Sequence, residues 1–554
     1  VFMAGPHVYL SGERVNKNWG DTYTFRNAKI TTCDGDVPAW SLHAEDAVVE
    51  LDGYARLWGS SLAIKNQKVA YSPYMVVPAK RDRQSGFLVP RAGQDSRKGF
   101  YWDQSYFWAI DDSRDLTANA YIMTDRGVML GAEYRSKQEW DENLWVRADY
   151  LHDSETWDTR SDNYFNSNYL RTNADRFWLR GMYNGTPFSD RNWKVKANLD
   201  YVSDAYFLRE FKNDVQGYNT TRDYLENSFG RTLAPWSSNR VSEGVIYRDW
   251  DRVTVSAGMR YEQNPFLGNG NQPRSSDVIA QRLPEVNMYL HKGDILEGGL
   301  PLEAEGEGQM VYFYRRDGVK GMRYDLSPRV SLPLRNDYGA LVHEVGLRGT
   351  MYQAGHEGRI QGDTGNSDDN GRVVPDFSLA AFTEVARNYD LGGSRLALAE
   401  ENVGNRRWSG LRHTIQPRVD YFKRWKVDQD DLPYFDSLDR LAPRDEVVYS
   451  ITNLLTVKRE SVALDKNKNP VIRDDYIDFL RFKLETGYDF DEARRTWRTD
   501  AYKRRPFMDI LADITLTPGN WFSISSRTWW SPYNGDFTRL DNDVTVWEPG
   551  IGRV

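Results

Sequence analysis

The stretch NWKVKANLDYVS, residues 192 to 203, alternates apolar and polar side chains along almost its whole length. A period of two is the pattern of a β-strand that has one apolar face and one polar face. The alternation lasts about ten residues, which is the length that a tilted strand needs to cross the hydrocarbon of a bilayer. Strands of soluble sandwiches are usually about half as long, and their polar faces rarely mix so many charges. The stretch therefore predicts a barrel strand with an apolar outside and a wet, charged inside.

The same alternation returns at residues 251–262, 480–490 and 508–516. Aromatic side chains stand near the ends of such runs, where their rings favour the boundary between membrane and water, although a soluble β core also uses aromatic residues. Short turns such as residues 518–520 and long polar loops such as residues 361–371 separate the runs. We predict an all-β fold that is dominated by a large antiparallel transmembrane β-barrel.

Composition excludes several other classes of protein. The 554 residues carry a net charge of −8 and 14% of them are aromatic, so the chain resembles neither a basic nucleic-acid binder nor a disordered polar chain. No apolar run approaches the roughly 18 residues of a membrane-spanning helix. The single Cys33 and seven scattered His supply no zinc-type ligand set, and no catalytic constellation is evident. We expect no enzyme activity, no cofactor, no metal and no nucleic-acid partner.

The N-terminal region differs from the rest of the chain. Residues 1–70 contain short strand-like pieces between Gly, Asp and Pro residues, which indicates a smaller β-module. The next stretch, YSPYMVVPAKRDRQSGFLVP at residues 71–90, should interrupt strand pairing, because proline cannot donate to a ladder. We place domain boundaries at 1–72, 73–97 and 98–554, which are a module, a hinge and a barrel. The hinge residues are Pro73, Pro78, Gly86 and Pro90.

Basic residues flank this hinge. They are Lys80, Arg81, Arg83, Arg91, Arg97 and Lys98. Such a cluster suits phosphorylated lipid headgroups, and it equally suits a solvated turn near a membrane. The sequence leaves the two readings open.

Several motifs resemble one protein family. They are the hinge itself, VSDAYFLREF (202–211), QRLPEV (281–286), RYDLSPRVSLP (323–333), LRHTIQPRVDY (411–421) and LPYFDSLDRL (432–441). In this order they are similar to LptD, the lipopolysaccharide (LPS) assembly family of Gram-negative outer membranes, also called the organic solvent tolerance family. The resemblance implies that part of a periplasmic β-jellyroll precedes a barrel of about 26 strands, at the upper end of the common range.

The resemblance also implies a function. LPS would pass from a periplasmic bridge of the LptA type, docked by strand addition at the jellyroll edge, through the jellyroll and the barrel lumen. It would leave through a lateral gate into the outer leaflet of the cell outer membrane. A lipoprotein plug, LptE, would occupy the lumen, and outer-membrane lipids would surround the barrel. The N-terminal module would lie in the periplasm.

The resemblance suggests three sets of site residues. Candidates for an apolar lipid groove are Val49, Leu51, Leu57, Leu62 and Ile64, which equally suit an ordinary core. Candidates on a first strand at the lateral gate are Gly99, Tyr101, Ser105, Tyr106 and Trp108. Candidates for positive charge in the lumen are Lys194, Lys196, Arg260, Arg481 and Lys483.

The chain departs from the family pattern in three ways. Cys33 stands where many relatives have a jellyroll cysteine bridged to the barrel, but this chain has no second cysteine. Ser105 and Ala120 stand where relatives often have gate-weakening prolines, so we expect weak pairing to come from elsewhere, for example from Gly99. The last residues, WEPGIGRV, resemble a turn more than a closing strand. We therefore expect a chain that lacks part of the jellyroll and several last strands.

Two other hypotheses remain open at this point. The first is a different outer-membrane barrel, a porin or a plugged receptor for solute uptake, which would share the alternation but would not explain the ordered proline motifs. The second is a soluble carbohydrate-active β-protein, which outer-membrane fractionation would exclude.

Overall fold

The computed structural model describes most of the 554 residues. The described ranges are 2–3, 8–18, 20–31, 33, 37–50, 53–78, 83–138, 142–155, 173–214, 217–234, 239–267, 275–296, 298–357, 370–392, 395–519, 521–548 and 552–553. Leu51, Lys80, Arg81 and residues 361–369 and 549–551 lie outside them, so the expectations for these residues stay predictions.

The N-terminal region forms a small antiparallel sheet. Its strands are Phe2–Met3 (β1), Val8–Ser11 (β2), Arg14–Lys17 (β3), Thr22–Thr31 (β4), Trp40–Glu50 (β5), Tyr54–Ile64 (β6) and Gln67–Pro78 (β7). Their order is β1-β2-β4-β5-β6-β7, and β3 also pairs with β4. Alternating apolar residues build this sheet because one of its faces carries a hydrophobic cluster around Phe25, Ala47 and Leu57.

All the following strands are antiparallel, in the order of a barrel. They are Gly86–Phe87 (β8), Arg91–Asp95 (β9), Gly99–Ala109 (β10), Arg114–Met123 (β11), Gly127–Gln138 (β12), Glu142–His152 (β13), Asp175–Gly185 (β14), Trp193–Val202 (β15), Arg240–Asp249 (β16), Val253–Gln263 (β17), Gln281–Asp294 (β18), Glu303–Tyr314 (β19), Gly318–Asn336 (β20), Gly339–Glu357 (β21), Asn370–Phe382 (β22), Val385–Asp390 (β23), Arg406–Arg424 (β24), Arg444–Leu464 (β25), Pro470–Asp489 (β26), Ile510–Gly519 (β27), Phe522–Trp530 (β28), Phe537–Glu548 (β29) and Gly552–Arg553 (β30). The predicted all-β fold is confirmed.

Helices are few and short. They are Phe207–Glu210 (α1), Tyr218–Phe229 (α2), Ser275–Val278 (α3), Phe490–Arg494 (α4) and two 3₁₀ helices, Glu400–Asn402 and Ser437–Asp439. None of the helices in the described ranges combines the length and the apolar character needed to span a membrane.

The chain divides into two compact units. Unit 1 contains residues 1–187, 196–242 and 264–272, and unit 2 contains residues 188–195, 243–263 and 273–554. In unit 1, strands β10–β13 expose apolar side chains such as Trp102 and Leu130 on one face. Buried polar side chains such as Asp103, Arg147 and Asp149 lie on the opposite face, which we call the charged face of unit 1.

Strands β20–β22 of unit 2 divide their side chains in the same way. Leu326, Val345 and Val373 are exposed on one face. The other, which we call the charged face of unit 2, carries a set of buried polar and aromatic residues: Arg323, Asp325, Thr350, Tyr352 and Arg372. Cross-strand partners share a face, and the register places Arg323 opposite Tyr352 and Thr350 opposite Arg372.

The hinge prediction needs one correction. The expectation that Pro73 interrupts pairing is wrong, because β7 runs through it, with Ser72 opposite Ser60 and Tyr74 opposite Trp58. Strand β7 is the last in the sheet order, and proline is tolerated on such an edge strand, since an outward N–H needs no ladder partner. Pro78 ends β7, and Gly86 already belongs to β8, which pairs with β10.

Candidate functional site

Four of the predicted groove residues share one face of the small sheet. Val49 and Leu57 are buried in its hydrophobic cluster, and Leu42 packs against the same cluster. Leu62 lies directly opposite Leu42, so it belongs to this face as well. Two residues further along β6, Ile64 reaches the exposed end of the face. The structure thus brings four groove candidates together, and their role as a groove stays a prediction.

This apolar face crosses an irregularity in the sheet. Asn27 of β4 and Gly59 of β6 have positive φ values of 50° and 56°. A local kink of this kind changes which alternate residues point to a given side. The face can therefore pass from Val49 and Leu57 to Leu62 although their sequence parity differs. Sequence alternation alone does not show this continuity.

The gate candidates all lie on β10, but β10 is not the first strand. Strand β9 pairs with its N-terminal half, from Gly99 opposite Asp95 to Asp103 opposite Arg91, and β8 pairs with Tyr106 and Phe107. By alternation Tyr101 and Ser105 lie on the charged face, whereas Tyr106 and Trp108 lie on the apolar face. Gly99, the first residue of β10, has a φ of 70°. The assignment of these residues to a first strand is wrong, since β8 and β9 precede it.

A proline does lie between β8 and β9, the two short strands that precede β10. Pro90 falls in the break between β8 and β9, where Val89 is 91% exposed. The N–H of Leu88 donates to the Ser105 carbonyl at 2.9 Å. The Leu88 carbonyl instead accepts from the Gln104 side-chain amide at 2.8 Å. A side chain thus replaces part of the backbone ladder next to Pro90. The expectation that weak gate pairing comes from elsewhere, for example from Gly99, stays a prediction.

A segment between β15 and β16 covers the charged face of unit 1. It comprises residues 203–214 and 217–234, includes α1 and α2, and is called here the first covering segment. Its buried apolar side chains, among them Phe207, Phe211 and Leu225, pack with Trp145 and Trp178 of the strands. Apolar packing fixes the segment on a face that is otherwise polar.

Two fully buried arginines fasten the N-terminal part of this segment. Arg176 of β14 contacts Asp204 at 2.9 Å and Glu210 at 2.6 Å, and Arg126 contacts the same Glu210 at 2.7 Å. Asp153 contacts Arg176 at 3.0 Å from the end of β13. Asp204 also accepts the Phe207 backbone N–H at 2.9 Å at the start of α1. The network balances two buried cations with three buried carboxylates.

The pKa of Glu210 records this balance. Burial alone would raise the pKa of this carboxyl, but the neighbouring Arg176 and Arg126 outweigh burial and hold it below the ordinary value. Glu210 is therefore ionised at neutral pH, which is the state that the two guanidinium groups need.

A second segment covers the charged face of unit 2. Residues 425–443, between β24 and β25, are called here the second covering segment. Its 3₁₀ helix begins with a capping box in which the Asp436 side chain accepts the Leu438 N–H. Arg323 of β20 contacts Asp439 at 2.7 Å and Asp436 at 2.8 Å. The Tyr352 hydroxyl donates to Asp439 at 2.7 Å.

Aromatic stacking and further arginines complete this second contact. Phe435 stacks on Phe313 of β19 with ring centroids 4.2 Å apart and planes 6° from parallel. Arg282 contacts Asp436 at 2.9 Å, and Arg372 donates to the Asp439 carbonyl at 3.0 Å. Burial raises the pKa of Asp436, but Arg323 overcomes this effect and leaves it below its ordinary value.

The first covering segment contains residues 203–211 of the motif VSDAYFLREF, and the second contains the whole motif LPYFDSLDRL. The sequence showed these motifs, but it did not indicate that their acidic residues bind arginines of distant strands. The available signal was the mixture of Asp or Glu with Phe and Tyr in a loop, together with arginines such as Arg176 and Arg323 at polar strand positions. None of these residues was among the predicted sites.

The predicted lumen cations are not one group. Arg481 and Lys483 line a cavity of about 710 Å³ in unit 2, together with Arg335, Arg418 and Glu384 among other residues. Lys194, Lys196 and Arg260 are not among the residues that line it.

Most of these cations have acidic partners. Lys194 contacts Asp249 at 3.4 Å, Arg260 contacts Glu262 at 2.8 Å and Arg481 contacts Asp513 at 3.1 Å. Lys483 pairs with Glu485. The predicted positive lumen charges are therefore largely compensated within this chain.

Neither Cys33 nor its surroundings form a metal-type cluster in the described ranges. Cys33 is half-buried beside the small sheet, where its backbone N–H donates to the Thr31 hydroxyl at 3.1 Å. Among the described residues, no three His, Cys, Asp or Glu side chains are grouped so that they could hold a metal ion.

Comparison with known proteins identifies related chains. LPS-assembly protein LptD of Nitrosospira multiformis is 28% identical over 96% of this chain and 52% of its own length. LptD of Methylococcus capsulatus is 26% identical over 75% of this chain and 35% of its own, and LptD of a Shewanella species, strain ANA-3, is 24% identical over 81% and 54%. The chain thus spans about half the length of these relatives or less.

The solved structure of an anion-selective porin from Comamonas acidovorans also matches. It covers 73% of this chain and 90% of its own, with 9% identity and a TM-score of 0.20, which is too low to support an argument. A family profile described as LPS transport system D matches residues 174–546, more than half of the chain and a range that includes both covering segments. The resemblance found in the sequence is confirmed, and the chain belongs to the LptD family, LPS transport system D.

Proposed function

We propose that this protein transports LPS and assembles it into the outer leaflet of the outer membrane, where its strands form the barrel wall. The family match over residues 174–546 is the observation that carries this proposal. Strands with one apolar and one charged face support the membrane location, because lipid contacts the first and a polar lumen the second. The protein then acts as a conduit and performs no covalent chemistry.

The small sheet offers a surface for acyl chains. Val49, Leu57 and Leu62 share one face, and Ile64 extends that face to an exposed end. In this proposal the sheet lies in the periplasm and receives LPS from an LptA-type bridge protein by strand addition. The β7 edge suits such pairing poorly, since Pro73 cannot donate to an added strand. We therefore propose the bridge at the opposite end of the jellyroll.

The sugar and phosphate part of LPS would follow the polar faces of the strands. The cavity at Arg335, Arg418, Arg481 and Lys483 suits a hydrated, charged headgroup, and a lipoprotein plug of the LptE type would occupy the remaining lumen. The lateral exit would lie at the β8–β9 line, where Pro90 breaks the ladder and Gln104 replaces one backbone partner. A broken ladder needs less free energy to open than a continuous one.

The test is depletion of the full-length protein in its host, followed by surface labelling of newly made LPS, with an unrelated porin as the control. We expect LPS to stall before the surface while the porin still assembles. Normal arrival of both would overturn the proposal and would favour solute uptake instead.

A pair of variants tests the apolar face in the same assay. Leu62→Glu places a charge on that face and should delay surface LPS. Tyr71→Glu is the matched control, because Tyr71 lies opposite Ser61 on the other face of the same strands and is exposed. Equal effects of the two changes would contradict a lipid groove on this face.

A further inference from the structure

The turn between β9 and β10 contacts the first covering segment through an ion pair. Lys98 in this turn places its Nζ 2.6 Å from Asp214 Oδ1, and Asp214 lies in the link between α1 and α2. Only 12% of the Lys98 side chain and 18% of the Asp214 side chain are exposed. The pair is therefore largely shielded from water, and its attraction is stronger than that of a surface pair.

Three aromatic rings surround the Lys98 ammonium group. Its Nζ lies 5.9 Å from the ring centroid of Tyr101, 5.6 Å from that of Tyr121 and 5.8 Å from that of Phe211. Tyr101 and Tyr121 belong to β10 and β11, whereas Phe211 belongs to the covering segment. A desolvated cation among rings gains from each ring. The lysine thus joins the hairpin and the segment by contacts of two kinds.

The buried Asp214 carboxylate depends on Lys98 for compensation of its charge. Asp214 Oδ2 is buried and has no hydrogen-bond partner among the described residues. Burial raises the pKa of Asp214, and Lys98 opposes that shift. Removal of Lys98 would leave the buried Asp214 carboxylate without the cation that it contacts, which is a costly state.

The same segment is fastened far more strongly elsewhere. Its α1 is held by Arg126 and Arg176, whose side chains are fully buried among three carboxylates. The β9–β10 hairpin, in contrast, is bordered on its other side by the Pro90 break. Lys98 therefore connects the first covering segment, which buried ion pairs hold in place, to strands whose pairing is interrupted at Pro90.

We propose that Lys98 and Asp214 form a latch through which the first covering segment holds the β9–β10 hairpin, so that opening at the first strands requires release of this ion pair. This inference rests on the proposed function in one respect, which is that LPS leaves the protein at these strands. The latch itself is a property of the hairpin and the segment.

Ionic conductance of the purified full-length protein in a planar bilayer tests the latch directly. We expect Lys98→Met and Asp214→Asn each to increase opening events severalfold. The double variant should resemble either single variant, since both changes remove one shared contact. Asp223→Asn is the matched control, because Asp223 belongs to the same segment and pairs only with exposed Arg222 among the ion pairs of the described residues. Openings equal to those of the control, or additive effects, would overturn the latch.

Chemical rescue separates a latch from a folding defect. In a background in which Cys33 and any other cysteine of the full-length protein are replaced by Ser, Lys98→Cys is assembled first and is then treated with an aminoethyl thiosulfonate reagent that restores a positive charge. We expect the conductance to return towards the wild-type value. Heat-modifiable gel mobility verifies assembly of every variant, and Lys98→Gln replaces Lys98→Met in the conductance test if Lys98→Met does not assemble. A charge that fails to restore closure would overturn the proposal.

Cross-linking connects the latch to transport. In the same background, Lys98→Cys and Asp214→Cys are joined by a short bis-maleimide on cells, and surface LPS is labelled. We expect delivery to stop after cross-linking and to continue in each single-cysteine control. Continued delivery in cells that depend on this protein would overturn the latch. If conductance follows the latch but LPS never depends on the protein, the proposed function fails and the latch stands.

Discussion

The two covering segments are held on the charged faces of their units by different contacts. In unit 1, Arg176 and Arg126 lie among three carboxylates that are almost inaccessible to water, and two helices add a broad apolar contact. In unit 2, Arg323 is equally buried, but Asp436 is 24% exposed and the segment contains a single 3₁₀ turn with one stacked ring, that of Phe435. The difference indicates that the first covering segment is held more strongly on unit 1 than the second covering segment is on unit 2.

The largest expected effect is the loss of Arg176. Arg176→Met leaves Asp153, Asp204 and Glu210 buried with only Arg126, and breaking a buried pair in this way costs about 3–5 kcal/mol. Thermal unfolding in detergent, read by heat-modifiable gel mobility, measures it. Arg222→Met on α2 is the control, since its pair with Asp223 is exposed. A loss of stability as small as that of the control would show that Arg176 does not hold the first covering segment strongly.

Loss of Arg323 should cost less. Arg323→Met removes the contacts to Asp439 and Asp436, but water can solvate the partly exposed Asp436, so we expect about 3 kcal/mol, the lower limit for a broken buried pair. The same unfolding assay applies, and Arg316→Met, at an exposed arginine near Asp277, is the control. A loss larger than that of Arg176→Met would reverse the comparison between the two units.

The stacked rings should contribute still less. Phe435→Leu keeps an apolar side chain but removes the parallel contact with Phe313, for which we expect a loss of about 1 kcal/mol. Tyr434→Leu changes the neighbouring exposed ring and should leave stability unchanged. If the two variants unfold at the same temperature, the stacked rings do not hold the second covering segment.

Acidification should weaken the ion pairs that hold both covering segments, at first by a small amount. The pKa values of Glu210 and Asp436 are lowered in the folded protein, so the stability they contribute is present above their unfolded values, about 4, and is lost as pH falls through the folded values. Melting temperatures between pH 6 and pH 3 should fall less steeply in Glu210→Gln than in the wild type, because one titrating group is gone. Parallel pH profiles would contradict this assignment.

Alternation predicted the strands well where each has two distinct faces. The predicted run at residues 192–203 became β15, Trp193–Val202, and the run at 251–262 became β17, Val253–Gln263. Proline placement was predicted less well, because Pro73 is harmless on an edge strand whereas Pro90 breaks one. The covering segments were missed because their ion pairs depend on which strands are neighbours and on loops that fold back. A single strand pattern contains neither kind of information.

The spacing of these ion pairs along the chain implies an order of folding. Arg176 and Asp204 are 28 residues apart and Arg126 and Glu210 are 84 apart, whereas Arg323 and Asp439 are separated by 116 residues and Arg282 and Asp436 by 154. Closing a longer loop costs more chain entropy, and contacts between distant residues form more slowly. The cover of unit 1 can therefore nucleate while later strands are still unpaired. The cover of unit 2 must wait for most of its sheet.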